Sequence, residues 1–135
     1  MRVPQKTDYA LRAVIELARL PRGTTVAAGE IADRLGLPRR FVEQQVTQMA
    51  KHGITSCQRG PRGGCALARP AEEISVADVV RAVQGTIVDV PLAGGAAAET
   101  WKSMAAAVTG YLESVSLVEL VERQATIDGA PIYYI

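Results

Sequence analysis

The sequence predicts a mainly α-helical fold with a small β wing, and three features of its 135 residues support this prediction. Several stretches repeat apolar residues every three or four positions, which is the period of an amphipathic helix. Two such stretches lie within residues 27–53, and the few residues between them include Gly36 and Pro38. A glycine-rich segment, RGPRGG, follows at residues 59–64. Two helices joined by a tight turn and followed by a hairpin are typical of a winged helix-turn-helix head.

The first helix is expected from Tyr9 to Leu20, with its apolar residues on one face, to back the pair that follows. A connector, residues 24–27, is long enough to carry a short strand. Within the helix-turn-helix, Gly36 suits the left-handed position after a helix and Pro38 the start of the next one. Val42 is expected to point inward from the second helix. The opposite face of that helix carries Arg39, Arg40, Glu43, Gln44, Thr47, Gln48 and Lys51.

The wing is expected to have two strands, Ile54–Arg59 and Gly64–Ala68, joined by a loop longer than a two-residue turn. Ser75 and Asp78 match a capping box, which predicts a linking helix from about Val76 to Gln84. The sequence from 86 to 100, TIVDVPLAGGAAAET, is expected to be a loop or a partly ordered segment.

A long helix is expected from Glu99 to Val115, because apolar residues again recur at threes and fours. Such a continuous face suits pairing with the same helix of a second copy, although packing within its own subunit is not excluded by this. A second capping box, Ser116 with Glu119, opens a last helix to about Gln124, and the apolar tail 130–135 could pack on the partner. The expected dimer face consists of Trp101, Met104, Ala105, Val108, Leu112 and Val115.

Charge divides the chain into two halves. Residues 1–70 hold twelve Lys/Arg against five Asp/Glu, a net charge of +7, whereas residues 71–135 hold three against nine, a net charge of −6. The basic excess coincides with the helix-turn-helix, which favours a nucleic-acid-binding head over a chance distribution of solvated charge. We therefore expect a head at 1–70, a linking helix with a sensor-type loop at 71–98, and dimerisation helices with a tail at 99–135.

Several classes of protein are not supported by the sequence. Asp8, Arg12 and Glu16 interrupt any apolar core of a signal peptide, and no apolar run reaches the roughly 18 residues of a membrane span. The only histidine, His52, has no neighbouring ligand set and is expected to cap a helix end. No catalytic set or phosphate-binding loop is present, so we expect a cytoplasmic protein that is not an enzyme and binds no metal or cofactor.

Three segments carry a resemblance to a known family: RVPQKTDYALRAVIELA, EIADRLGLPRRFVEQQVTQMAKHGI and RGPRGGCALARPAEEISVADVVRAV. They resemble the Rrf2 family of bacterial transcription regulators, and GYLESVSLVELVE resembles the end of its dimerisation region. The resemblance covers nearly the whole chain. It implies a homodimer, joined by long helices, whose two heads bind a palindromic operator, with repression as the expected outcome.

The chain departs from this family at the site where cluster-binding members carry three cysteines. The corresponding stretch, residues 86–100, contains none, and Asp8, which stands where some members supply a fourth ligand, cannot hold a cluster alone. We therefore expect a member without a cluster. Its signal is expected to be a small molecule, with Trp101 and Met104 as pocket walls, or a protein partner. Packing of Trp101 in the dimer core is the favoured alternative for that residue.

An α-helix that enters the major groove points its first residues at base edges. Gln44 suits adenine, and Glu43 can accept a hydrogen bond from a cytosine amino group, while the arginines suit phosphate or guanine. Gln48 and Lys51 are expected at phosphates or water. A merely solvated helix face is the alternative, which the attached wing disfavours. The expected contacts of the second helix are Arg39, Arg40, Phe41, Glu43, Gln44, Gln48 and Lys51.

The wing tip is the second expected contact with DNA, because its glycines allow close approach of the backbone. The resemblance implies that Arg59 reaches the minor groove, where narrow A·T-rich segments attract arginine. Arg62 stands where the family often has glycine and is expected to add a contact. The expected wing contacts are Arg59, Gly60, Pro61, Arg62 and Gly63.

Two further interpretations remain open from the sequence. Cys57 and Cys65 lie on the two predicted wing strands, where a redox disulfide would act as a switch. The alternative is that they are two small hydrophobic residues of a cytosolic protein, and the sequence favours this reading. A winged head that docks a protein partner is the other alternative to DNA binding.

Overall fold

The computed structural model describes residues 2–129, and these fold into six α-helices and one two-stranded sheet. The expected mainly α fold with a β wing is confirmed. The tail at 130–135 lies outside the described residues, so its packing stays a prediction. The elements are α1 (Gln5–Ala18), α2 (Ala28–Leu35), α3 (Arg39–Ala50), β1 (Thr55–Gln58), β2 (Gly64–Leu67), a 3₁₀ turn (Ala71–Glu73), α4 (Val76–Gln84), α5 (Gly95–Ser114) and α6 (Leu117–Gly129).

Two helices begin earlier than the sequence predicted. Helix α1 starts at Gln5 rather than Tyr9, because Pro4 is extended and its carbonyl accepts the backbone N–H of Thr7 and Asp8. Helix α5 starts at Gly95 rather than Glu99. The expected loop therefore ends earlier, since Gly94 makes the turn and the alanines that follow are strong helix formers.

A shared core packs α1, α2 and α3 together and extends to the C-terminal region. Gly36 adopts a left-handed φ of 68° and makes the predicted turn between α2 and α3. Ala32 and Val42 are fully buried, so Val42 points inward as the sequence predicted. Val26 forms a bridge to Cys65, so the connector does carry one strand-like pairing. The fully buried side chains of greatest volume are Ile31, Met49, Ile54, Ile74, Leu117, Val14, Val42, Val46 and Val79.

Helix α4 fastens the head to the C-terminal helices. The predicted capping box is present: Ser75 Oγ accepts from the Asp78 N–H at 3.1 Å, and an Asp78 carboxylate oxygen accepts from the Ser75 N–H at 3.0 Å. The backbone N–H of Val76 donates to the carbonyl of Val115 at 2.9 Å, and Leu117 is buried in the head core. Ser116 Oγ caps α6 by accepting from the Glu119 N–H at 3.2 Å. The start of α6 is therefore part of the body that supports the head.

None of the helices between residues 2 and 129 has the length and apolar content that a membrane crossing requires.

Candidate nucleic-acid interface

Helix α3 is held by its apolar face and presents a polar face outward. Val42, Val46 and Met49 are at most 1% exposed and anchor the helix in the core. On the other side, Arg40, Glu43, Gln44, Thr47 and Lys51 are exposed, and with Gln48 they line one shallow surface. This arrangement matches the reading face expected from the sequence. We call α3 the recognition helix.

Arg39, the first residue of α3, is engaged by a carboxylate of its own chain. Its Nε donates to Asp33 Oδ1 at 3.0 Å, and its Nη2 bonds the other oxygen, so the pair is bidentate. These hydrogen bonds hold the pKa of Asp33 below its usual range and raise the pKa of Arg39. Both side chains are more than half exposed. Any contact of Arg39 with DNA therefore competes with its pairing to α2.

Two other residues that were expected on the DNA face also have partners within the chain. Phe41 is half-buried and meets Tyr9 of α1 edge to face, with the ring centroids 5.2 Å apart. Gln48 turns to α4, where its Nε2 donates to the carbonyl of Ala82 at 3.1 Å. The structure thus gives both residues a supporting role that the sequence analysis missed, because their partners lie far along the chain. Their contact with DNA stays a prediction.

The wing consists of β1, β2 and the tip between them, residues 59–63. The strands are antiparallel, with Gln58 opposite Gly64, so the tip is a five-residue loop, as expected. The Gly63 N–H donates to the Gly60 carbonyl at 2.9 Å and closes the turn. A Cβ at Gly63 would lie 2.3 Å from the carbonyl oxygen of Gln58, so only glycine fits there.

The wing tip and the recognition helix border the same concave surface. Glu43 of α3 lines it together with Gln58, Gly60 and Gly63 of the wing, and the first residues of α2 line it as well. Arg59 and Arg62 are both exposed at the tip, as are Gly60 and Pro61. The two predicted DNA-contacting regions are therefore neighbours in space.

Cys57 and Cys65 are joined by a disulfide across the wing strands. They are direct partners in the strand register, and their Cα atoms are 4.1 Å apart. Cys65 is 5% exposed, whereas Cys57 is an exposed residue. The favoured expectation of two separate small hydrophobic residues was wrong in this structure. Sequence reasoning could not decide it, because strand register sets which residues face each other.

Helix α5 shows which part of the expected dimer face is available to a partner. Ala98, which is 5% exposed, is the one buried residue among the 20 of this helix, so most of its apolar surface is uncovered. Trp101 is 43% exposed, and Tyr111, which the sequence analysis did not include, is 58% exposed. Met104, Ala105 and Val108 are half-buried on the same helix.

The last two residues of the expected dimer face pack against α4 of their own chain. Val115 lies just beyond the end of α5 and is 3% exposed in a cluster with Val76 and Val80, so it cannot be a partner contact here. Leu112 is half-buried against the same cluster. The expectation for Val115 is corrected because its neighbours on α4, distant in sequence, already cover it.

The loop between α4 and α5 is tied to the start of α1. Thr7 Oγ1 donates to Gln84 Oε1 at 2.6 Å, and Gln84 Nε2 donates to two carbonyls of this loop at 2.7 and 3.2 Å. A concavity beside it is lined by Arg2, Lys6 and residues 86–89. Trp101 and Met104, the expected walls of a pocket, do not line this concavity.

A winged head with an exposed polar recognition helix defines the class of DNA-binding, helix-turn-helix transcription regulators. The family model described as "Rrf2: Iron-dependent Transcriptional regulator" matches residues 3–123, and the chain belongs to this family. The HTH-type transcriptional regulator IscR of Photorhabdus laumondii is 32% identical over 139 residues, which span 96% of this chain and 85% of that protein.

Solved structures agree with this membership. The structure of CymR (YrzC), the global cysteine regulator of B. subtilis, has a TM-score of 0.82 and 27% identity over 91% of this chain and 98% of that one. The structure of T. potens IscR has a TM-score of 0.78 and 26% identity over 92% of this chain and 88% of that one. The fold predicted by the resemblance is thereby confirmed.

The family description names iron, and a member that binds an iron–sulfur cluster must supply the ligands for it. Iron–sulfur clusters are held by cysteine thiolates. Both cysteines of the sequence lie in the wing disulfide, and the stretch from 85 to 100 contains none. Within residues 2–129 no three His, Cys, Asp or Glu side chains come together as a metal site would require. The residues present do not fit an iron–sulfur cluster.

Proposed function

We propose that this chain is a homodimeric transcriptional repressor that binds a palindromic operator and holds no iron–sulfur cluster. The observation that carries the proposal is the shared surface of recognition helix and wing on a head of net charge +7. A positive head attracts the phosphate backbone, while an exposed polar helix can read base edges. Operator binding of this kind belongs in the cytoplasm.

Within this proposal, base contacts come from the start of the recognition helix. Arg40, Glu43 and Gln44 are exposed there, and Arg39 is already paired with Asp33, so we expect Arg40 to make the stronger contact with DNA of the two arginines. Lys51 contacts phosphate at the far end. Arg59 and Arg62 are exposed at the wing tip, and we propose that they contact the adjacent groove. The contribution of Glu43 is specificity, since a carboxylate repels DNA unless a donor meets it.

Dimerisation is supported by the uncovered apolar surface of α5. Trp101 and Tyr111 are large exposed apolar side chains on the same helix, and Met104 and Val108 lie between them in sequence. In a dimer with two-fold symmetry, α5 of one subunit packs against α5 of the other. The same residues are then buried in both subunits. Two heads on such an axis match half-sites about 34 Å apart along the duplex.

The signal is proposed to act at the loop between α4 and α5. Gln84 links this loop to Thr7 of α1, so a change in the loop reaches the base of the head. Arg2, Lys6 and Asp89 line the concavity beside it, so the effector proposed there is a small polar molecule, and a protein partner would use the same surface. An effector changes operator binding only if it favours one spacing of the two heads over the other.

The experiment is selection of genomic fragments by the purified full-length chain, with sedimentation to determine its oligomeric state. We expect a dimer, an inverted-repeat footprint, and an affinity that falls linearly with salt on logarithmic axes. Arg40→Ala is expected to weaken binding to the selected fragments about tenfold, whereas the matched charge loss Arg22→Ala, at an exposed residue between α1 and α2, is expected to leave it intact. A monomer, or a chain that ignores every fragment at low ionic strength, would overturn the proposal in favour of a protein-docking module.

A further inference from the structure

We infer that the Cys57–Cys65 disulfide is a redox switch that controls how firmly the wing tip is presented to DNA. This inference rests on the proposed operator binding and names a means of regulating it. The disulfide closes the loop from 57 to 65, which contains every wing residue expected to contact DNA. A bond at this position acts on those contacts directly.

The strand register favours formation of this bond. The N–H of Cys65 donates to the Val26 carbonyl, and the Cys65 carbonyl accepts the Val26 N–H. Both backbone groups of Cys65 therefore point away from β1, which makes Cys57 and Cys65 a non-hydrogen-bonded cross-strand pair. Side chains approach most closely in such pairs, so the two sulfurs can bond without moving the strands.

The two wing strands are anchored unequally, and this gives the bond its effect. Strand β2 is fixed to the body by the bridge from Cys65 to Val26. Strand β1 is fixed at Thr55, which is 2% exposed and whose Oγ1 donates to the Val46 carbonyl at 2.8 Å. Beyond Thr55 every residue of β1 is exposed. The disulfide is the covalent tie that, in addition to the strand pairing, holds this exposed end of β1 and the adjoining Arg59 to the anchored strand.

The chemistry balances with a peroxide as oxidant and a small thiol as reductant. In oxidation, the Cys57 thiolate attacks the peroxide and becomes a sulfenic acid as water leaves. The Cys65 sulfur then attacks that sulfur and expels a second water, so two thiols lose two electrons to the peroxide. In reduction, a small thiol attacks the exposed Cys57 sulfur and Cys65 leaves as thiolate. A second thiol then releases Cys57 and leaves as the small disulfide.

Opening the bond weakens DNA binding because the freed residues must then be ordered by the DNA itself. Fixing even one residue has a conformational cost comparable to a tenfold change in affinity, so we expect reduction to weaken binding about tenfold. In the cytoplasm proposed for this protein, a disulfide is typically transient and responds to oxidants. Oxidising conditions are therefore expected to strengthen operator binding.

The test compares the oxidised full-length chain with the same chain reduced by a phosphine, on the tightest duplex recovered from genomic selection. Thiol alkylation gives an unambiguous state readout, because the sequence contains two cysteines. We expect reduction to weaken binding about tenfold and hydrogen peroxide to restore it. Arg59→Ala is expected to weaken the oxidised chain more than the reduced one, which a merely stabilising disulfide would not produce.

Cys57→Ser is the variant of choice because residue 57 is exposed, so the head is expected to stay folded. It should bind like the reduced chain and ignore both reagents. If this variant unfolds, the test rests on the natural chain alone, whose duplex affinity is compared after phosphine and after peroxide. Affinities within twofold in both states, or thiols that peroxide leaves unbonded, would overturn the switch while operator binding stands. Loss of duplex binding in both states would overturn the proposed function as well.

Discussion

The recognition helix and the wing are both expected to contact DNA, but the rest of the molecule holds them very differently. Val42, Val46 and Met49 bury one side of α3, and Phe41 and Gln48 are bonded or packed against other helices. The wing has one buried residue in each strand, Thr55 at the base of β1 and Cys65 near the tip end of β2, together with one bridge and one disulfide.

This difference predicts that the recognition helix is held rigidly, whereas the wing tip can move. Base readout requires donors and acceptors held in fixed geometry, which buried packing under α3 provides. A wing tip that contacts the duplex backbone and groove tolerates motion, so its order can be regulated without disturbing the core. Regulation of the wing is thus compatible with an unchanged reading helix.

The largest expected effect comes from removing the support under the recognition helix. Met49 is fully buried, so Met49→Ala is expected to lower the free energy of unfolding by about 3 kcal/mol. Gln58→Ala, on the exposed end of β1, is the matched wing variant and is expected to change it by less than about 0.5 kcal/mol. Urea unfolding followed by circular dichroism measures both, and equal losses would contradict the comparison.

Substitution on the reading face should change specificity rather than stability. Gln44→Ala is expected to cost about 2 kcal/mol on the best operator and to relax the preference at one base pair. Lys51→Ala should instead weaken all duplexes by a similar factor, because a phosphate carries no sequence information. Binding to a panel of single-base operator variants distinguishes the two, and an unchanged profile for Gln44→Ala would exclude base readout by that residue.

At the wing tip the expected loss is smaller. With the disulfide closed, Arg59→Ala is expected to cost about 1 kcal/mol, and the salt dependence should flatten by about one phosphate contact. Arg62→Ala serves as the neighbouring comparison, since the two arginines flank the same turn. A salt titration in which affinity and slope both stay unchanged would remove the wing contact from the interface.

The smallest effect is expected at the pair of Asp33 and Arg39. Because the pKa of Asp33 is lowered in the folded chain, the pair stabilises it above the ordinary aspartate pKa of about 3.9. That contribution is lost as the pH falls through the lowered folded pKa, since the carboxyl group is then protonated. Asp33→Asn should therefore unfold slightly more easily at neutral pH and match the natural chain in strong acid.

The Asp33→Asn variant is also expected to change binding to DNA. Asp33→Asn releases Arg39 from its carboxylate partner and removes one negative charge near the recognition helix. Nonspecific duplex binding is expected to tighten slightly and to become steeper in salt. Asp8→Asn, which frees Arg12 on α1 in the same way, is the control that should leave binding unchanged.

Much of the head could be predicted because its signals are local. Gly36 supplies the left-handed turn, Ser75 and Asp78 form the capping box, and both rest on residues close together in the sequence. The start of α5 was misjudged because Gly94 and Gly95 suggested a loop, whereas the helix begins directly at the turn that they form. Glycine at a helix start and glycine in a loop look alike in a sequence.

Local periodicity, turn residues and the division of charge are properties of neighbouring residues, so the sequence alone determined the helix-turn-helix, the wing and the basic head. Contacts between distant elements depend on how the helices and strands pack and in which register. Only the tertiary structure therefore decided that Phe41 meets Tyr9, that Gln48 bonds to α4, and that Val115 is buried within its own chain. It also decided that Cys57 and Cys65 face each other. A shift of the strand register by one residue would place their sulfurs on opposite sides of the sheet.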